Sequence, residues 1–246
     1  MHIEADILHV TTTPAAEPVD PAHPVALTII KGSGLAAAVL LFAAVGVRLV
    51  GVLLVPAAMP FVAAGLLLGY LAADFLSGTA HWFCDTFFGE NTPLIGRTVI
   101  RPFRDHHRHP AAITRYHFLE QDGSNYFIII PPLWVAWRHG GPDPASALAV
   151  LGHTALWGFA LGALGTNLFH KWAHAERVPF PVRWLQRHRL ILSPRAHGVH
   201  HRAYTGGYCV TSGWMNEVLD PLDFFGRVER MVRLLLRRPR PVTPDE

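Results

Sequence analysis

"AAMPFVAAGLLLGYLAADFLSGTAHWF", residues 57–83, decides the fold class. The stretch carries one charge, Asp74, and exceeds the ~20 apolar residues that cross a bilayer as a helix. Working outward, residues 145–169 hold no Asp, Glu, Lys or Arg. A third apolar stretch, near 35–55, is long enough too, with Arg48 snorkelling or facing the bundle. Residues 125–137 are apolar but short and contain Pro131-Pro132, which reads as half a hairpin with the next span or a re-entrant piece. Half of the chain is hydrophobic and 16% is charged, against about 25% in ordinary soluble domains. These features predict an all-α integral membrane protein of about four transmembrane helices.

The charges orient it. Arg97, Arg101, Arg104, Arg108 and Arg115 lie between the second and third spans, and thirteen basic residues run from Lys171 onward, whereas the opposite loops hold Arg138. The positive-inside rule then places both basic segments and both termini in the cytoplasm. Anionic headgroups account for the basic balance, and no nucleic-acid partner is needed. Residues 1–24 lack Lys, Arg and a cleavable leader pattern, so they read as a disordered tail. A membrane domain over 25–238 and a short tail over 239–246 follow. Cys84 and Cys209 imply no disulfide framework.

Sixteen histidines is a large number for this length, and most gather where the spans end on the cytoplasmic side. His81 closes the second span, with Asp74 and Asp85 on the same helix face. "RPFRDHHRHP" (101–110) supplies His106 and His107, "NLFHKWAH" (167–174) supplies His170 and His174, and "HGVHH" (197–201) supplies His197, His200 and His201. Eight imidazoles exceed the needs of one metal and suit two metals with open positions. The zinc-protease H-E-x-x-H is absent, as is the Glu-x-x-His pair of soluble di-iron bundles. A b-type cytochrome would place histidines within the spans at two depths, and only His153 lies mid-span. A histidine-rich di-iron cap fits the pattern best.

Longer strings carry a resemblance. "HWFCDTFFGENTPLIGRTVIRPFRDHHRHPAAITRYHF" (81–118), "TNLFHKWAH" (166–174), "LSPRAHGVHH" (192–201) and "YCVTSGWMNEVLD" (208–220) resemble the lipid desaturase family of plasmanylethanolamine desaturase (Kua) and the plant plastid palmitate desaturase. That resemblance covers about residues 60–238. It implies two irons, held by the eight histidines named above, with O2 as co-substrate. Three departures touch the substrate. Tyr116 replaces a histidine of the animal-type pattern with His117 shifted by one, "HHRAYTGGY" follows the plant-like branch, and His109 stands where an aspartate is usual.

Asp74 and Asp85 are expected to orient His81 by hydrogen bonding, the usual support for a ligating imidazole. Asn167, Asn216 and Asp220 are candidates for the same role or for helix capping. Arg97, Arg101, Arg104 and Arg108 could grip a lipid phosphate as well as set topology. G-x-x-x-G at Gly65/Gly69 and Gly158/Gly162 predicts close helix packing. The resulting expectation is a desaturase that takes two hydrogens from adjacent carbons of a phospholipid chain. The first substrate choice is plasmanylethanolamine, giving the vinyl ether. An acyl chain on a lipid such as phosphatidylglycerol, hydroxylation, or a non-enzymatic metal or haem protein are the alternatives. Its electrons would come from ferredoxin, cytochrome b5 or a flavin reductase.

Overall fold

The computed structural model describes residues 25–115, 119 and 125–236, without the side chains of 27, 97, 98 and 102. The expected tails at 1–24 and 239–246, and the departures at Tyr116 and His117, lie outside the described residues. Among the described residues every regular element is helical. In chain order they are α1 (Val25–Leu53), α2 (Met59–Phe87), α3 (Arg101–Arg108), α4 (Asn125–Arg138), α5 (Ala147–His174), α6 (Phe180–Arg187), α7 (Pro194–Ala203), α8 (Asn216–Leu219) and α9 (Phe224–Leu235).

Three helices are long and apolar enough to cross a membrane: Thr28–Leu53, Pro56–Phe87 and Ala147–His174. Where four spans were expected, α4 has 14 residues, about 21 Å at the helical rise, short of a ~30 Å hydrocarbon core. Its Tyr126, Ile129 and Leu133 are fully enclosed. α4 runs back along α5, from the Asn125 amide donating to the Ala163 carbonyl (3.1 Å) to Trp137 beside α1. Arg48 resolves its own difficulty there: its guanidinium donates to the Trp137 carbonyl and lies 5.4 Å over the indole ring. α1 begins about ten residues before the expected start and takes Lys31 into the helix.

α2 and α5 pack side by side and parallel, and small residues make this possible. A Cβ on Gly69 would stand on the Ala155 carbonyl, and one on Gly65 would meet Thr154. On the facing helix, a Cβ on Gly158 would lie 2.6 Å from the Leu66 carbonyl, and one on Gly162 would lie 2.7 Å from Ala73. Close backbone approach gains dispersion contacts where apolar burial supplies little drive. His81 and His170 both lie eight residues beyond the Ala73–Gly162 contact. The glycine contact therefore brings the two histidines to one level.

Gly69→Leu should lower the thermal midpoint in detergent and reduce retained metal, since overpacking a tight contact costs about 1–3 kcal/mol. Gly51→Leu, where a side chain meets open space, should leave both unchanged.

Candidate metal centre

Eight imidazoles converge at one end of the α2–α5 pair. Five form one group, His106, His170, His174, His197 and His201. His81, His107 and His200 form a second, with Asp85. In each group the potential ligand atoms all lie within 4.8 Å of one another. The groups adjoin: the rings of His106 and His107 are 5.6 Å apart, those of His200 and His201 5.7 Å.

Helix geometry explains the doubled histidines. Residues three or four apart share a helix face, so His170/His174 on α5 and His197/His201 on α7 both aim into the first group. Consecutive residues diverge by about 100° on a 3.6-residue turn. The pairs His106-His107 and His200-His201 are therefore each split, one ring to each group. α3 and α7 straddle the site.

The donor set fits metal ions. Nε2 of His170 lies 2.8 Å from Nε2 of His197, and Nε2 of His201 lies 3.0 Å from those of His197 and His106. A neutral imidazole has one N–H, so this chain of contacts cannot be satisfied by hydrogen bonds alone with Nε2 of His201 serving two neighbours. Donors about 2.1 Å from a shared ion stand ~3.0 Å apart at right angles and ~3.4 Å apart at tetrahedral angles. The first group has the tighter spacing, which suits an ion with more than four ligands. Nε2 of His200 is buried with no hydrogen-bond partner.

Asp85 has a larger part than expected. Its Oδ2 lies 3.3 Å from Nε2 of His81, 3.2 Å from Nε2 of His107 and 3.9 Å from Nε2 of His200. It reaches the ring nitrogens that face the group, so it stands as a candidate oxygen ligand and not as an orienting group behind an imidazole. Asp74 is redirected. Its buried Oδ1 accepts from the backbone N–H of Thr211, Ser212 and Gly213, and Oδ2 from that of Met215. It touches no histidine and instead fastens the loop after α7 to α2. Four amides compensate a fully buried carboxylate that would otherwise be prohibitive.

That loop supplies the orientation expected of the acids. Nδ1 of His200 donates to the Gly206 carbonyl (2.7 Å) and Nδ1 of His81 to the Tyr208 carbonyl (3.2 Å). A carbonyl only accepts, so both rings carry their proton on Nδ1 and turn the Nε2 lone pair to the metal group. Gly206 and Gly207 make the turn with φ of 90° and 67°, a region closed to most side chains. Asp220 holds it by accepting from the Gly207 N–H (3.0–3.1 Å), and Asn216 bonds both the N–H and the carbonyl of Cys209 (2.9 Å each). Asn167 lies half-buried one turn before His170. The glycine pair in "TGGYC" was the available signal for this loop.

The expected phosphate grip is partly committed elsewhere. Arg101 pairs with Asp105 (3.4 Å), Arg108 with Glu90 (2.8 Å) and Asp105, and Arg104 donates to the Phe88 carbonyl (2.6 Å). The Arg97 side chain lies outside the described residues.

Outside the membrane-length helices, burial first and neighbouring imidazoles second hold His106 and His197 well below the usual histidine range. The same causes bring His201 down to about 3. Burial also lowers His200. These rings stay neutral, the form that binds metal.

A buried cluster of imidazoles at one end of membrane-length helices defines a histidine-rich candidate metal site. The comparisons name the family. The lipid desaturase domain profile matches residues 70–241, and the chain belongs to that family. It is 42% identical to plasmanylethanolamine desaturase of Myxococcus xanthus over 170 residues, 68% of this chain and 59% of that protein. It is 37% identical to plasmanylethanolamine desaturase 1 of Mus musculus over 179 residues, 71% of this chain and 66% of that protein. Chloroplastic fatty acid desaturase 4 of Arabidopsis thaliana is 36% identical over 179 residues, 70% of this chain and 52% of that protein. The chain thus spans about half to two-thirds of the length of these relatives. No solved structure matches it.

Asp85→Asn should lose metal from the second group while the fold survives, read as a lower metal-to-protein ratio by mass spectrometry with an unchanged helical spectrum. Asp220→Ala should weaken retention roughly 10–100-fold, the usual cost of removing a ligand's support. The lowered histidines also set a sign for pH. Unfolded histidines take up protons below about pH 6.5 while the folded cluster does not, so falling pH favours the unfolded chain. Metal-free protein should therefore melt at a lower temperature at pH 5 than at pH 7.5, a loss beginning near 6.5 and extending toward 3 for His201.

Proposed function

We propose that the chain is a membrane di-iron lipid desaturase, most closely a plasmanylethanolamine desaturase. The observation that carries this reading is the pair of adjoining donor groups, eight histidines and Asp85, at one end of membrane-length helices in a lipid desaturase domain. Two iron ions would be held there, His106, His170, His174, His197 and His201 around one and His81, His107, His200 and Asp85 around the other. When bound they supply O2 activation for removal of one hydrogen from each of two adjacent carbons.

The overall reaction consumes one O2, two electrons and two protons and releases two waters as the CH2–CH2 unit becomes CH=CH. The electrons would come from ferredoxin, cytochrome b5 or a flavin reductase. This chain's residues bind and position. The neutral rings add no charge, so Asp85 is the one anionic donor of the set, and the loop carbonyls of Gly206 and Tyr208 keep His200 and His81 in one tautomer. His81, His170, His197 and His200 are buried, whereas His107, His174 and His201 are part-exposed, which supports approach of the lipid chain from their side. Arg101 and Arg108, paired but more than half exposed, share the face of α3 turned away from His106 and His107, where they would add a phosphate contact at the rim of the site.

The Lys/Arg bias supports a cytoplasmic metal end and cytoplasmic termini. The desaturase unit spans residues 25–238, with α4 serving as a short fourth membrane segment that folds back on α5. The 36% identity to a plant enzyme named fatty acid desaturase supports a second substrate, the acyl chain of a phospholipid.

Mass spectrometry of lipids from a host expressing the chain and fed alkyl-ether lipid tests the reading. A product two mass units lighter that mild acid destroys is expected for a vinyl ether. An acid-stable product of that mass selects the acyl reading, a gain of one oxygen selects hydroxylation, and no product overturns all three.

A further inference from the structure

The metal cluster faces one side of α7, and the opposite side of α7 faces a groove of about 1030 Å³. α6 forms its other wall, and the segment after α5 contributes Ala175 and Val178. Arg183 and Arg187, one turn apart on α6, and Arg195 on α7 all open into it. Among the described residues none of these three has an ion-pair partner, whereas the neighbouring Arg189 is neutralised by Glu217. Glu176 alone offsets them, so the lining is net positive. Three unpaired guanidinium groups around one groove repel one another until an anionic surface neutralises them.

The groove is close to the donor histidines by construction. Ala196 and Val199 line it, and their chain neighbours His197 and His200 point the other way, one into each donor group. A helix is about 10 Å across with its side chains, so one helix separates the groove from both groups. A covalent backbone path joins each lining residue to its histidine.

We propose that this groove is the docking site for an acidic one-electron donor protein of iron–sulfur or haem type, which passes its electrons across α7. The proposal rests on the desaturase reading for its need of electrons. Two successive dockings balance one turnover: two reduced donors, two protons, one O2 and one CH2–CH2 unit give two oxidised donors, two waters and one CH=CH unit. A single lipid phosphate is the other anion to weigh. It would call for convergent donors at one point, and here the arginines are spread over two helices around a groove that admits a protein loop. Charge complementarity of this kind raises association rates by about 10- to 1,000-fold and is weakened by salt.

The test uses the iron-loaded full chain in nanodiscs, with two reductants. One is a soluble acidic [2Fe–2S] ferredoxin, the other dithionite-reduced methyl viologen, a small cation that needs no docking surface. For Arg183→Glu/Arg187→Glu/Arg195→Glu, ferredoxin-driven desaturation should fall at least tenfold, calorimetric ferredoxin binding should be lost, and viologen-driven turnover should be unchanged. Wild-type ferredoxin turnover should fall as salt rises; viologen turnover should not. The Arg→Gln triple variant, with unchanged melting and metal content, serves if charge reversal prevents folding. Unchanged ferredoxin binding overturns the proposal. So does a raised KM for lipid with both reductants, which would assign the groove to a headgroup. If neither reductant yields product with wild type, the desaturase reading fails, and ferredoxin binding still decides the groove.

Discussion

Everything at the metal end depends on how closely α2 and α5 approach. Gly65, Gly69, Gly158 and Gly162 let the two backbones meet, and no side chain larger than a hydrogen fits at those positions without displacing the partner helix. In lipid the chain gains little by hiding apolar surface from a solvent that is itself apolar, so steric fit sets the relative depth of the helices. That depth decides whether His81 and His170 stand level. The histidine cluster is thus controlled from a contact about 12 Å away, eight residues of helical rise.

The second constraint is the fate of the buried charge on Asp74. A carboxylate at 0% exposure persists because four amides of the 211–215 loop surround it. Ser77 adds a fifth bond, accepting from the Val210 N–H (3.0 Å), and Gly78 leaves room for Cys209 against α2. The loop so fastened presents the carbonyls of Gly206 and Tyr208 to two imidazoles. Asp74 therefore acts on His81 through the backbone of a distant segment and not by direct contact. Burial, which makes the acid costly, also keeps the histidines neutral, and both effects serve the same cluster.

How the two donor groups share the eight rings follows from helix geometry more than from chemistry. Adjacent histidines must diverge, so each doubled pair serves two groups, and helices α3 and α7 become common walls. This leaves the second group two imidazoles poorer than the first, three rings against five, and Asp85 adds a fourth donor from the same face of α2 as His81. With α7 fixed between the cluster and the basic groove, one short helix carries donor histidines on one side and groove-lining residues on the other.

The helical class, the membrane-length stretches and the eight histidines were legible in the sequence because each is local: apolar length, period and residue spacing need no knowledge of the third dimension. The close-packing motifs at Gly65/Gly69 and Gly158/Gly162 were equally legible. Tertiary structure alone decided which rings meet, because the partners lie far apart in the chain, His81 and Tyr208 by 127 residues. It moved Asp85 among the ligand atoms, turned Asp74 to backbone amides, and enclosed α4, whose Pro131-Pro132 hid a packed helix behind a broken pattern. Spacing tells which residues share a face of one helix. Only packing tells what that face meets.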